Sequence, residues 1–175
     1  MVLNKALFLD RDGVINIEKD YLYKIEDFEF IDDIFDVCKF FQNINYKIFV
    51  VTNQSGIARG YYSEQNFKSL SKWMKKQFLE KGINITAIYH CPHHPSISGE
   101  CDCRKPKSGM LKDASLKYNI DLKNSVIIGD KERDIEAGIN AGLISCYLFD
   151  EKNIIKDSKA LKIIQKLGEI YVDFK

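Results

Sequence analysis

LFLDRDG, from Leu7 to Gly13, is the stretch that decides the fold of this 175-residue chain. Three apolar residues lead into two acids, and the glycine that follows favours a sharp turn at the end of a buried strand. Open α/β sheets bind ligands at the carboxyl ends of their strands. Because side chains alternate faces along a strand, Asp10 and Asp12 can point toward one metal ion or phosphate. A strand that ends in an ordinary polar turn explains this stretch equally well, so later segments must decide.

Apolar, strand-like runs alternate along the chain with segments of helical periodicity. Strands are predicted over 6–9, 46–51, 85–90, 125–128 and 143–149, with a short edge strand over 170–174. Helices are predicted over 32–42, 64–81, 108–118, 132–141 and 158–167. This alternation predicts a three-layer, Rossmann-like α/β fold, in which helices cover both faces of a parallel sheet. The length suits a single domain over residues 1–175.

The composition excludes several classes of function. With 26 basic and 25 acidic residues the net charge is +1, which gives no electrostatic basis for a nucleic acid or a membrane partner. No apolar run approaches the roughly 20 residues that cross a bilayer. The first strand starts too early for a signal peptide, so we expect a cytoplasmic protein with reduced thiols. The 11 Phe and 9 Tyr fit within one core, and we expect a monomer.

Polar side chains follow several of the predicted strands, at the edge where the carboxyl ends of parallel strands meet. They are Asp10, Asp12, Thr52, Asn53 and Asp130, with Lys105 in the loop before the helix predicted over 108–118. These groups suit phosphoryl transfer, in which a carboxylate attacks phosphorus and a second acid protonates the leaving oxygen. Carboxylate oxygens are also the ligands that Mg²⁺ prefers.

Four pieces of this set appear in the order found in phosphatases of the haloacid dehalogenase (HAD) superfamily, which the chain resembles. They are DRDG (10–13), VTN (51–53), RKP (104–106) and GDxxxD (129–134). A receiver-type signalling domain also uses clustered acids, but an acid pair on the first strand favours the phosphatase.

The resemblance implies a role for each of these residues. Asp10 is the nucleophile and Asp12 the acid/base, while Thr52 and Lys105 bind the phosphoryl group. Asp10, Asp130 and the backbone carbonyl of Asp12 hold Mg²⁺. Asp134 orients Lys105 or the metal-bound waters, although an exposed acid near a helix N-terminus explains it equally well.

Cysteine and histidine are concentrated between 91 and 103, in the segments CPHHP and CDC. Thiolates and an imidazole at this spacing are typical of a closed, four-ligand structural zinc site, and surface thiols without metal are the alternative. Spacing alone allows either His93 or His94. A zinc-binding loop in a subset of the same superfamily resembles this segment, which implies Cys91, His93, Cys101 and Cys103 as ligands. The loop leads directly into Arg104 and Lys105, so zinc would hold these two residues in place.

The gaps after Gly13 (about 20 residues) and Asn53 (about 10) are too short for a cap domain of roughly 50 residues, so we expect an open site. Among capless, zinc-loop phosphatases, the segment VTNQSGIARG (51–60) resembles the heptose bisphosphate phosphatases. The resemblance implies Mg²⁺-dependent hydrolysis of the C7 phosphate of D-glycero-D-manno-heptose 1,7-bisphosphate through an aspartyl-phosphate. The product, heptose 1-phosphate, would feed lipopolysaccharide core or activated-heptose synthesis.

A bisphosphate needs a second anion site, for which Arg104 and Lys131 are the candidates. The loop from Glu18 to Tyr21 would contact the sugar, and its two acids suit hydroxyls because they would repel phosphate. The full predicted substrate-binding set is Glu18, Lys19, Asp20, Tyr21, Thr52, Asn53, Gln54, Ser55, Arg104, Lys105 and Lys131. Thr52, Arg104 and Lys105 are also predicted to be catalytic.

Three other functions remain open at this stage. A histidinol-phosphate phosphatase shares the acids, the zinc loop and RKP, and differs in the loop after Gln54. A nucleic acid 3′-phosphatase would also use an open site, but no basic stripe with interleaved aromatic residues is present. A zinc-held binding module without activity would not need intact Asp10, Asp12, Lys105 and Asp130.

Overall fold

The computed structural model describes residues 3–174, which form one six-stranded parallel sheet in the order β3-β2-β1-β4-β5-β6. The strands are β1 (Lys5–Leu9), β2 (Tyr46–Asn53), β3 (Ile85–Cys91), β4 (Val126–Gly129), β5 (Ser145–Phe149) and β6 (Lys162–Ile164). The α-helices are α1 (Ile34–Asn43), α2 (Glu64–Glu80), α3 (Pro95–Ser98), α4 (Gly109–Tyr118) and α5 (Glu132–Ala141). The predicted α/β class, with its parallel sheet, is confirmed.

Helices cover both faces of the sheet, and each face has its own apolar core. The core that includes α1 and α2 contains Leu7, Ile48 and Phe78, all at most 1% exposed. The opposite core, with α4 and α5, contains Phe8 and Ile127. Alternate residues of β1 therefore enter opposite cores, which explains why the whole strand is apolar. Both cores consist of apolar side chains from the strands and from the faces of the helices that pack on the sheet.

The sheet reverses its winding direction at β1, and this reversal positions the site. β1 pairs with β2 on one side and β4 on the other, with Leu9 opposite Val50 and Ile128. β2 and β3 are added on one side, and the chain then returns to add β4, β5 and β6 on the other. A crevice opens beyond the carboxyl ends of the strands at such a switch point, and ligands bind there. Asp10 directly follows β1, so it lies at this crevice.

Within residues 3–174, the connections that could carry a cap are short and contain little regular structure. The segment between β1 and α1 has a 3-10 helix at Ile25–Asp27 and isolated bridges, and turns join β2 to α2. Ser63 caps α2, because its hydroxyl accepts a hydrogen bond from the Asn66 amide at 3.1 Å. In the described part of the chain, every helix is too short or too polar to cross a membrane.

The predictions for the C-terminal region are wrong. The segment predicted as a helix over 158–167 contains the edge strand β6, in which Ile164 pairs with Phe149 and is fully buried. The segment predicted as an edge strand over 170–174 belongs to a 3-10 helix, Leu167–Phe174. The apolar spacing here fits either a helix or a strand, and pairing with β5 decides in favour of the strand.

Candidate active site

A cavity of about 310 Å³ lies at the carboxyl ends of the central strands. Its lining contains Asp10, Asp12, Glu18, Asp20, Tyr21, Thr52, Asn53, Gln54, Ser55, Gly56, Tyr62, Lys131 and Arg133. Ten of the predicted site residues are therefore brought together at one cavity. β2 is two residues longer than predicted and carries Thr52 and Asn53 to its rim within the strand.

Lys105 lies behind the cavity in a fully buried group of opposite charges. Its Nζ is 2.9 Å from an Asp10 oxygen and 2.7 Å from an Asp134 oxygen, and it donates to the Val51 carbonyl at 2.7 Å. Asp134 is fully buried, so its interpretation as an exposed helix acid is wrong. The geometry matches the alternative prediction that Asp134 orients Lys105.

Asp10 and Lys105 influence each other's pKa. Burial raises the pKa of Asp10 to about 7; Lys105 opposes this shift, and Asp134, Asp130 and Asp12 add to it by repulsion. Burial works against the charge on Lys105, but Asp10 and Asp134 together outweigh it and raise the lysine pKa. Lys105 therefore stays charged, and the excess of carboxylates is an environment that a cation would stabilise.

Two glycines allow the carboxylates to approach each other. A Cβ on Gly13, whose φ is +88°, would overlap the Asp130 carboxylate. A Cβ on Gly129 would overlap the Asp134 side chain. Each glycine thus leaves room for one acid at the site. This explains on steric grounds why the DRDG and GDxxxD pieces contain Gly13 and Gly129.

A divalent cation fits among these carboxylates. Oxygens of Asp10, Asp130 and Asp134 lie within 4.8 Å of one another, a spacing compatible with a shared hard cation. The Asp130 Oδ1 atom is buried and has no hydrogen-bond partner among the described residues, while its Oδ2 is 2.9 Å from Lys131 Nζ. The Asp12 carboxylate is outside this group, and its backbone carbonyl remains the predicted ligand.

Asp12 is held by a side chain that the sequence analysis did not select. Arg11 is 1% exposed, and its guanidinium donates to both Asp12 oxygens at 2.9 Å and to the Leu22 carbonyl at 2.9 Å. Asn16 donates to Asp12 as well, at 3.1 Å. An arginine between two acids looks like a surface residue in sequence. Only the folded loop, which brings Leu22 over it, explains its burial.

The zinc prediction is supported by the distances between the four ligand atoms. The Sγ atoms of Cys91, Cys101 and Cys103 and the Nδ1 atom of His93 are separated by 3.4–3.7 Å along the contacting pairs. A tetrahedral site with Zn–S of about 2.3 Å and Zn–N of about 2.0 Å requires separations of about 3.5–3.8 Å. Residues 91–103 thus fit a closed zinc site, and His94 is excluded because its ring contacts Ser96 and Arg59.

The zinc loop is fastened to the active-site strand by Asn53. The Asn53 Oδ1 accepts from the Lys105 amide and its Nδ2 donates to the Lys105 carbonyl, both at 3.1 Å. Arg104 donates to the His93 carbonyl at 3.2 Å. The loop backbone and β2 therefore act together on the position of Lys105, and a zinc ion held by the four predicted ligands would add to this. Both ends of the Asn53 amide are therefore hydrogen-bonded to the Lys105 backbone, although Asn53 also lines the cavity.

Some predicted and observed cavity residues differ. Lys19 does not line the cavity, because its ammonium donates to the Asp27 carbonyl at 2.8 Å and lies 3.4 Å from Glu29. Arg104 and Lys105 are likewise absent from the lining. Arg133 and Tyr62 line it without having been predicted. Arg133 lies within the GDxxxD piece (129–134) and on the first turn of α5, and this position was the signal from which it could have been predicted.

The chain is similar to curated phosphatases over nearly its whole length. A sequence model of HAD-hydrolase-like proteins matches residues 102–152. D-glycero-alpha-D-manno-heptose-1,7-bisphosphate 7-phosphatase of Campylobacter jejuni is 51% identical over 98% of this chain and 96% of its own length. The beta-named 7-phosphatase of Haemophilus influenzae is 48% identical over 79% of this chain and 78% of its own length.

A solved structure has the same fold with metal and phosphate bound. The D,D-heptose 1,7-bisphosphate phosphatase of B. bronchiseptica, complexed with magnesium and phosphate, superposes with a TM-score of 0.85 at 26% identity, over 97% of each chain. This similarity agrees with the α/β fold described above. The chain therefore belongs to the heptose-1,7-bisphosphate 7-phosphatase family of HAD-like hydrolases, and it is a phosphoric monoester hydrolase.

Proposed function

We propose that this protein hydrolyses the C7 phosphate of D-glycero-D-manno-heptose 1,7-bisphosphate through an aspartyl-phosphate on Asp10. The observation that carries the proposal is the position of Asp10, at the floor of the cavity with its carboxylate 2.9 Å from the buried Lys105 ammonium. A fixed carboxylate with one face open to the cavity is suited to attack phosphorus. The choice of heptose as the sugar rests on the relatives, several of which are named for this substrate.

Each step has a residue in this chain to perform it. An Asp10 oxygen attacks phosphorus, the bond between phosphorus and the C7 oxygen breaks, and Asp12 protonates the departing C7 oxygen. Asp12 then takes a proton from a water molecule, whose oxygen attacks phosphorus; the bond between phosphorus and the Asp10 oxygen breaks, which releases phosphate and restores the Asp10 carboxylate. Thr52 hydrogen-bonds to phosphoryl oxygens in both steps. Mg²⁺, held by Asp10, Asp130 and the Asp12 carbonyl, would neutralise the charge that develops on the phosphoryl group.

The cavity cations provide for the second phosphate. Lys131 and Arg133 are the basic residues of its lining, and Lys131 is already paired with Asp130. The Arg133 side chain lines the cavity and forms no ion pair or hydrogen bond with any residue in the range 3–174, so its guanidinium is available for an anion. We assign the C1 phosphate to Arg133 and Lys131. Arg104, the other predicted candidate, contacts the zinc loop in this structure.

The cellular context completes the proposal. The product, heptose 1-phosphate, fits synthesis of the lipopolysaccharide core or of activated heptose. Reduced cysteines at the zinc site suit the cytoplasm, where we place the protein. The monomeric state and the single domain over residues 1–175 remain predictions.

Phosphate release with Mg²⁺ tests the proposal on three substrates: the α and β anomers of heptose 1,7-bisphosphate, and histidinol phosphate. We expect fast release from a heptose bisphosphate, with the α anomer preferred, because the Campylobacter relative carries that name. Release from histidinol phosphate alone would transfer the protein to histidine synthesis. A chain that binds a sugar phosphate but hydrolyses none of the three would support the binding-module alternative.

Arg133→Ala tests the assignment of the second phosphate. A lost charge-assisted hydrogen bond of about 1.5–3 kcal/mol predicts a loss of roughly 10- to 100-fold in kcat/KM for the bisphosphate. The value for heptose 7-phosphate, which lacks the C1 phosphate, should stay within about twofold. Lys112→Ala on exposed α4 is the control and should change neither value. Equal losses on the two substrates would contradict the assignment.

A further inference from the structure

The Gln54 side chain is nearly inaccessible and forms three hydrogen bonds within the protein. It is 2% exposed although it touches the cavity. Its Nε2 donates to Asp12 Oδ2 and to Thr52 Oγ1, both at 2.9 Å. Its Oε1 accepts from the Tyr62 hydroxyl at 2.5 Å. Both amide hydrogens are therefore used inside the protein, and Gln54 has no donor left for a substrate.

The partners also fix which end of the amide faces Asp12. Both Asp12 oxygens already accept from the Arg11 guanidinium, and Asn16 donates to one of them, so this side chain is placed as an acceptor and the NH₂ group faces it. The Tyr62 hydroxyl donates a hydrogen bond to the carbonyl end of the amide. Burial raises the pKa of Tyr62 to about 12, which keeps the hydroxyl protonated. Without this donor, the amide would lose one of the two contacts that distinguish its ends.

The same orientation affects Thr52. Its Oγ1 accepts a hydrogen from Gln54, so its own hydroxyl hydrogen remains to be donated elsewhere. Thr52 lines the cavity beside Asp10, where the phosphoryl oxygens would lie. One amide thus directs a donor toward the phosphoryl group and holds the acid/base carboxylate at the same time.

Tyr62 is itself fixed by its surroundings. It is 7% exposed and its ring stacks on Tyr23 with a centroid separation of 5.4 Å. A Cβ on Gly56 would overlap the Tyr62 ring, so the glycine leaves the space that the tyrosine fills. The hydroxyl consequently reaches Gln54 from a rigid support, which suits a positioning function.

We propose that Gln54 and Tyr62 are positioning residues, which act chiefly through the acid/base Asp12, with a smaller effect through Thr52, and do not bind the substrate. This rests on the proposed function for the reaction, with Asp12 as the acid/base. The predicted role of Gln54 as a substrate ligand is replaced by an indirect one. Tyr62 would affect the reaction through Gln54, to which its hydroxyl donates a hydrogen bond.

Tyr62→Phe tests the proposal, because it keeps the ring and removes the one hydroxyl. Two substrates are compared: the sugar phosphate that wild type hydrolyses fastest, whose leaving alkoxide needs a proton, and p-nitrophenyl phosphate, whose leaving group does not. We expect kcat on the sugar phosphate to fall about 10-fold or more with KM within about twofold. First-turnover release of p-nitrophenolate should fall less than about threefold.

Gln54→Glu is the second variant and should have a larger effect of the same kind, since it replaces the donor by a carboxylate facing Asp12. Tyr61→Phe, the same substitution at the exposed neighbour, is the matched control and should match wild type. Equal losses on both substrates, or no loss on either, would overturn the proposal. Wild-type inactivity on heptose bisphosphate would instead refute the proposed function, and another alkyl phosphate would then serve in the comparison.

Discussion

Replacement of Asp10 by asparagine is expected to abolish turnover while the fold remains intact. An amide cannot attack phosphorus as a carboxylate does, so kcat should fall by at least about 10⁴-fold on every phosphate ester that wild type hydrolyses. The fold should persist because Asn has the same shape, and Lys105 keeps its second partner, Asp134, at 2.7 Å. Phosphate release and thermal unfolding of the same preparation measure the two effects.

The stability of the Asp10→Asn variant has a definite expectation. Burial and the neighbouring acids raise the pKa of Asp10 to about 7, so its charge is costly in the metal-free protein. Removing that charge should leave the unfolding temperature within a few degrees of wild type. Asp113→Asn, on the exposed side of α4, is the control and should retain full activity. Residual activity within about tenfold of wild type would move the nucleophile to another residue.

The fold could be predicted from sequence where local patterns and tertiary structure agree. The predicted strands over 6–9, 46–51 and 125–128 are apolar except for Lys47 and Ser125, a composition typical of strands buried on both faces of a parallel sheet. Because all strands are parallel, the residues after them converge, and the order of the acids was enough to predict their meeting. The prediction for the C-terminal region was wrong because β6 has only three residues and is stabilised by its pairing with β5, which the local sequence does not show.

The site was predictable where motif pieces in the chain resemble those of a known family. Asp10, Lys105 and the four predicted zinc ligands fall in this group, whereas spacing alone could not choose between His93 and His94. Arg11, Tyr62 and Arg133 could not be selected, since a surface position is the ordinary interpretation of each in sequence. Their roles depend on which loop covers them or on where the cavity opens, and no spacing along the chain carries that information.

His93→Ala is expected to remove the zinc ion and, with it, the position of the catalytic lysine. Cys103 is followed directly by Arg104 and Lys105, so a loop freed from the metal would release the Lys105 ammonium from its carboxylate partners. Two buried carboxylates would then lack their cation, a loss of about 3–5 kcal/mol when a buried pair is broken. For a chain of this size, that corresponds to a fall of roughly 10 °C in unfolding temperature.

The His93 prediction has a matched control in the adjacent residue. His94→Ala should keep one zinc per chain, because the His94 ring contacts Ser96 and Arg59 instead of the cysteines. His93→Ala should contain little zinc and lose at least about 100-fold in kcat at saturating Mg²⁺, since Lys105 steadies the nucleophile. Metal analysis, thermal unfolding and phosphate release on both variants measure this. Full zinc content in His93→Ala, or full activity of a zinc-free chain, would contradict the structural role, because the metal would then not be what holds Lys105 against Asp10.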